Sequence, residues 1–100
     1  MNSELQKIGV FTLTTLFLDA SRYSSPRDLH AALKSMLSLP DYYGMNADAL
    51  YDCLSERREP VHLWIFSAGE GEVARSLSAV CDVVGDLGGT VRSIGPERSE

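Results

Sequence analysis

Apolar positions along this 100-residue chain switch between two spacings, and each switch marks an element. Residues 8–18 are dense in β-branched and aromatic side chains and read as a strand, long enough that its first part reads as an extension. Asp19, Ala20 and Ser21 break that pattern. From residue 25 the spacing turns helical. Ser25 suits an N-cap, Pro26 the first helical position, and Asp28 is placed to return a capping-box bond. Leu29, Leu33, Met36 and Leu37 follow as a stripe expected to be buried, and Pro40 is expected to end the helix.

A second helix is expected over residues 47–56, capped by Asn46, with Asp48 in the first turn complementing the helix dipole. At about 100° per residue, Ala47, Leu50, Tyr51 and Leu54 share a side expected to pack on the core. Asp48, Asp52, Ser55 and Glu56 share another, expected to look outward. Arg57 and Arg58 read as solvated turn residues. Residues 61–66 form a near-continuous apolar run, which suits a central strand buried on both faces with Trp64 in the core. Residues 72–87 carry Val73, Leu77, Val80, Cys81, Val84 and Leu87 at helical spacing, and Gly88-Gly89 follows as a C-cap. Residues 90–94 make a last short strand. Helices between successive strands imply right-handed crossovers, hence a single α/β domain with a three-stranded parallel sheet packed with about three helices.

Composition narrows the function classes. The chain is 44% hydrophobic and 23% charged, which suits one soluble globular domain. Its net charge of -5, from 14 acidic and 9 basic residues, repels nucleic acid and anionic membrane and favours basic partners. Residues 8–18 are too short to cross a bilayer as a helix, and the N-terminus lacks the pattern of a signal peptide, so a cytoplasmic setting is expected. Cys53 and Cys81 form no Cys-x-x-Cys pair and no His cluster accompanies them. They are expected to be buried thiols, and no metal or cofactor is called for.

The densest chemistry lies in residues 39–54. A loop holding Pro40, Asp41, Tyr42, Tyr43 and Gly44 leads into the helix that carries Asp48 and Asp52 on one face. Paired carboxylates at this spacing suit acid–base work or a cation, but no phosphate loop, nucleophile elbow or His-rich motif completes such a site. A solvated helix face is the simplest reading of the residues alone. Of the adjacent tyrosines, one is expected to pack inward and the other to be exposed, as in a binding hot spot. His30 is expected at the surface or flanking the core, and His62 at the start of the central strand.

Asp28-Leu29-His30-Ala31-Ala32-Leu33-Lys34, Leu39-Pro40-Asp41-Tyr42-Tyr43-Gly44 and Asn46-Ala47-Asp48-Ala49-Leu50-Tyr51-Asp52-Cys53-Leu54 closely resemble the barstar family, intracellular inhibitors of the secreted guanyl-specific ribonuclease barnase. The match is dense over residues 27–54 and looser to residue 94. The resemblance implies a non-enzymatic protein, monomeric when free, that plugs a basic barnase-like ribonuclease 1:1. It implies that Asp52 occupies a phosphate position and that Tyr42 packs near the catalytic His of the enzyme. Asn46, Asp48 and Ser55 add polar contacts. The implied contact set is Tyr42, Tyr43, Gly44, Asn46, Ala47, Asp48, Tyr51, Asp52 and Ser55, with Asp86 the best match to an acidic contact in the last helix and Asp82 the next. The domain is expected over residues 13–95, after an N-terminal extension (1–12) and before a polar tail (96–100). Three positions depart from the family pattern: Tyr51 replaces Trp, Ala47 replaces a larger aliphatic residue, and Arg57 puts a positive charge near an aromatic position. Those departures leave open an immunity protein of the same fold directed at a different, non-barnase toxin.

Overall fold

A computed structural model describes residues 14–94. Strand β1 (Thr14–Asp19) leads through a 3₁₀ turn (Ala20–Arg22) to helix α1 (Pro26–Leu37) and helix α2 (Ala47–Ser55). Strand β2 (Val61–Ser67), helix α3 (Gly71–Asp86) and strand β3 (Val91–Ser93) complete the order. The sheet is three-stranded and parallel, in the order β1-β2-β3. This is the α/β architecture expected. The expected first strand extends to residue 8, but residues 8–13 lie outside the described residues.

The local chemistry explains the helix boundaries, with two corrections. Ser25 caps α1 by accepting from the Asp28 N–H at 3.1 Å. The carboxylate of Asp28 does not return to Ser25. It accepts instead from the Ser24 hydroxyl at 2.8 Å and the Ser24 N–H at 3.3 Å, so the reciprocal bond falls one residue upstream. The helix also stops before Pro40. Ser38 turns left-handed at φ 55, the Leu39 N–H reaches the Lys34 carbonyl at 2.9 Å, and the Ser38 N–H reaches Ser35 at 3.4 Å. That is a Schellman closure with serine where glycine is usual. Helix α3 ends the same way with glycine: Gly88 adopts φ 93 and the Gly89 N–H bonds the Val84 carbonyl at 2.8 Å.

Both crossovers step the same way across the sheet. Right-handed connections then place every helix on one face. Burial agrees: Leu16, Leu18, Val61, Leu63 and Ile65 point into the helix layer, where they meet Leu29, Leu33, Leu50, Leu54, Leu77 and Val80. Each large apolar side chain so buried contributes about 1.5–3 kcal/mol. The expectation that β2 is buried on both faces is therefore corrected. Phe66 is exposed, Trp64 is half-buried, and Phe17 of β1 is exposed beside them. Met36 is also exposed, because it falls at the rim of the α1 stripe. Val83, absent from the expected α3 stripe, is buried. Cys81 and Cys53 are half-buried free thiols.

Candidate functional site

The loop of residues 39–45 and helix α2 form one unit. Leu39, at the loop's start, is buried, and the Tyr43 N–H closes a turn onto the Pro40 carbonyl at 2.9 Å. That turn splits the tyrosine pair. Tyr43 is buried, whereas Tyr42 is 85% exposed. The Tyr43 hydroxyl lies 2.6 Å from His30 Nδ1 and 3.4 Å from the Asn46 carbonyl. An arrangement that uses both contacts has Nδ1–H donating to the tyrosine oxygen and the hydroxyl passing its proton toward Asn46. Burial holds the His30 imidazole below its usual pKa. Burial first, and the neighbouring Cys53 second, push the Tyr43 hydroxyl up to about 12. Both rings therefore stay neutral at pH 7.

Asn46 joins loop to helix. Its Oδ1 accepts from the Ala49 N–H at 2.8 Å and its Nδ2 donates to the Gly44 carbonyl at 3.2 Å. Gly44 sits close to the helix: a Cβ there would come within 3.2 Å of Ala49 Cβ. Met45, just before the cap, adopts φ 60. From there Leu50 and Leu54 anchor α2 in the core. Arg57 is exposed, as expected, and in addition ties the end of α2 to the end of α1, its Nη1 donating to the Leu37 carbonyl at 3.2 Å. Lys34 and Asp41 approach at 3.9 Å across the loop, the lysine partly buried and the aspartate fully in solvent.

The outward side is polar and open. Asp48, Asp52 and Ser55 are exposed, as are Gly44 and Asn46. The Ser55 hydroxyl donates to the Asp52 carbonyl at 2.9 Å. The one ion pair among the described residues is Lys34–Asp41, so the carboxylates of Asp48 and Asp52 are unpaired there. Tyr51, expected in the core, is 43% exposed, and Ala47 is half-buried. At the margin of the apolar side, the bulky Tyr51 ring turns into solvent beside Asp52, while the small Ala47 tucks partly under. Tyr43 departs from the expected surface set: it holds the loop from beneath. Asp86 is exposed at the last position of α3. Sequence reasoning missed His30 as the partner of Tyr43. The signal was present, since positions 30, 33 and 37 follow helical spacing on the buried side of α1.

A family profile described as Barstar (barnase inhibitor) matches residues 13–90, most of the chain. The chain belongs to the barstar family. The matched range thus covers the loop, α2 and strands β1 and β2 beneath them, and stops just before β3. Barstar proteins are inhibitors, and a ribonuclease is the partner class the family implies. A curated relative from Bacillus subtilis (strain 168), named "Putative ribonuclease inhibitor YrdF", is 45% identical over 40 residues. That stretch spans 40% of this chain and 44% of the relative, less than half of each.

Proposed function

We propose that this protein inhibits a basic, barnase-like ribonuclease by binding it 1:1 and closing its active site with α2 and the preceding loop. The observation that carries this reading is the Asp52 carboxylate: exposed, unpaired among the described residues, and held on a helix fixed by Leu50 and Leu54. A ribonuclease site is lined by cations that hold RNA phosphate. A rigid carboxylate entering it makes charge-assisted hydrogen bonds without prior reordering. Tyr42 offers a large aromatic surface beside it, with Tyr51 at the rim. Asn46, Asp48 and Ser55 supply polar contacts around the anchor, Gly44 and Ala47 allow close approach, and Asp86 adds negative charge from α3. The net charge of -5 steers a basic enzyme toward this surface. No helix among the described residues is long and apolar enough to cross a membrane, and action in the cytoplasm fits the proposal.

The test is titration of the purified chain into barnase-like ribonucleases while RNA cleavage is followed. Stoichiometric inhibition is expected. Asp52→Ala should weaken it by about 3–5 kcal/mol, because enzyme cations are left buried without a partner. Association should slow as salt rises. The proposal fails if no ribonuclease is inhibited and Asp52→Ala leaves partner binding unchanged. Recovery of a bound toxin without ribonuclease activity would instead assign the same surface to a different immunity role.

A further inference from the structure

The chain is acidic overall, at net charge -5, yet two arginines stand side by side at the edge of the surface that carries Asp52. Arg57 and Arg58 follow the C-cap of α2 and both are exposed. Arg57 is not a loose surface side chain. Its backbone N–H bonds the Leu54 carbonyl at 3.0 Å, and its Nη1 donates to the Leu37 carbonyl at 3.2 Å. The residue is therefore held at both its main chain and its guanidinium. A guanidinium carries five N–H donors in a rigid fork, so holding one leaves the others aimed. Glu56 and Glu59, the carboxylates nearest in sequence, pair with neither arginine, since the one ion pair among the described residues is Lys34–Asp41.

The two arginines border a cleft of about 90 Å³ between the ends of α2 and α3. Its inner side is apolar, made by buried Leu54 and Val84 with half-buried Leu87. Arg57, Arg58 and Glu59 line it as well, and two guanidiniums against one carboxylate leave that lining positive. Ser55 also lines it, and the Ser55 hydroxyl donates to the Asp52 carbonyl at 2.9 Å, so cleft and anchor are continuous. The volume equals that of about three water molecules, room for one side chain and too little for a strand or helix. A short apolar stem ending in a carboxylate suits this lining, with methylenes on the leucines and oxygens on the guanidinium fork. A lysine or arginine does not, because it would be pressed against two like charges. On a surface that meets cations alone, two arginines at the edge are a penalty that neutral side chains avoid.

We propose that Arg57, seconded by Arg58, is a specificity residue that selects an enzyme with a carboxylate at the rim of its cationic cleft. The inference rests on the ribonuclease reading above. As Asp52 enters the enzyme's cleft, a glutamate or aspartate of the enzyme's rim enters the cleft beside Arg57. The complement of this surface is thus a cationic centre with an acidic rim, and enzymes with lysine or arginine at that rim position are rejected.

The test uses a barnase-like ribonuclease that the full chain inhibits. Arg57→Glu should weaken binding about tenfold or more, and changing one rim carboxylate of the enzyme to lysine should weaken the unsubstituted inhibitor to a similar degree. Combining the two reverses both charges and should return affinity to within about threefold of the original pair. Arg58→Glu should give a smaller loss in the same direction. It leaves the bond from Arg57 to Leu37 in place, so it reads the charge even if Arg57→Glu loosens the junction of α1 and α2. Binding that both arginine variants leave unchanged or tighten overturns the proposal. So does a loss that no rim carboxylate-to-lysine change restores. Asp52→Ala separates the two readings. If it weakens binding while the arginine variants do not, the acidic rim alone is refuted; if no ribonuclease is inhibited, the ribonuclease reading falls and the rim assignment with it.

Discussion

Tyr43→Phe isolates one oxygen atom and tests whether the loop is held from below. The hydroxyl sits 2.6 Å from His30 Nδ1 in a site where His30 is 3% and Tyr43 5% exposed. Removing it leaves volume and apolar contact nearly unchanged, so no cavity term enters. The cost is that of a buried imidazole nitrogen stripped of its partner, about 1–3 kcal/mol. For a domain of this size each kcal/mol moves Tm by roughly 4–8 °C. Tyr42→Phe is the internal control: its hydroxyl belongs to a ring 85% exposed, and the change should stay within about 0.5 kcal/mol. Urea unfolding followed by far-UV circular dichroism measures both. A double-mutant cycle with His30→Leu sharpens the assignment. If the two groups serve each other, the double variant loses about 1 kcal/mol less than the sum of the singles, because neither polar group is left alone. Additive costs, or a Tyr43→Phe protein as stable as its parent, would refute the reasoning.

Three further outcomes are open to measurement. Gly89→Ala places a Cβ 1.8 Å from the Val61 carbonyl oxygen and 2.8 Å from Val84 Cγ1, and should cost more than about 3 kcal/mol. Gly85→Ala, on α3 with nothing within 4 Å, should gain about 0.5–1 kcal/mol, and calorimetry of the pair separates contact from conformation. Ser38→Gly relieves a left-handed serine at φ 55 and should stabilise the fold by up to about 1 kcal/mol, read as a higher urea midpoint. His30, its folded pKa depressed by burial, takes up a proton near pH 6.5 when unfolded but not when folded. Its contribution is complete above about pH 6.5 and declines as pH falls from there toward the folded pKa. His30→Gln should flatten that acid limb, read from urea midpoints at successive pH values.

The parts of the fold decided locally were legible in the sequence. Ser25 and Asn46 cap the helices they precede because their side chains reach N–H groups three residues on. The split between Tyr42 and Tyr43 follows from a short turn that cannot bury both. The open sheet face was not legible. Residues 61–66 are apolar at nearly every position, so no alternation tells one face from two; strand order decides, and strand order is a property of the whole chain. The anchoring of Arg57 is hidden for a related reason, since its partner carbonyl is twenty residues away. The angle of Tyr51 on α2 points to the core, yet a residue at the margin of an apolar stripe turns inward or outward according to what α1 and α3 leave room for.

The candidate site is built on strain held in place by packing. Two non-glycine residues in the left-handed region, Ser38 and Met45, bracket the loop that presents Tyr42. Each such conformation costs roughly 1–2 kcal/mol and persists only where neighbours over-determine it. On one side the neighbours are the Schellman bonds to Lys34 and Ser35, with Leu39 buried behind them. On the other they are the Asn46 cap, the packing of Met45 on the core and the Tyr43–His30 pair. The loop therefore has few alternative shapes to lose when a partner arrives. For a surface whose proposed partner is a preformed enzyme cleft, that order matters as much as the charge of Asp52. A carboxylate contributes its full interaction only if it is already standing where the enzyme's cations converge.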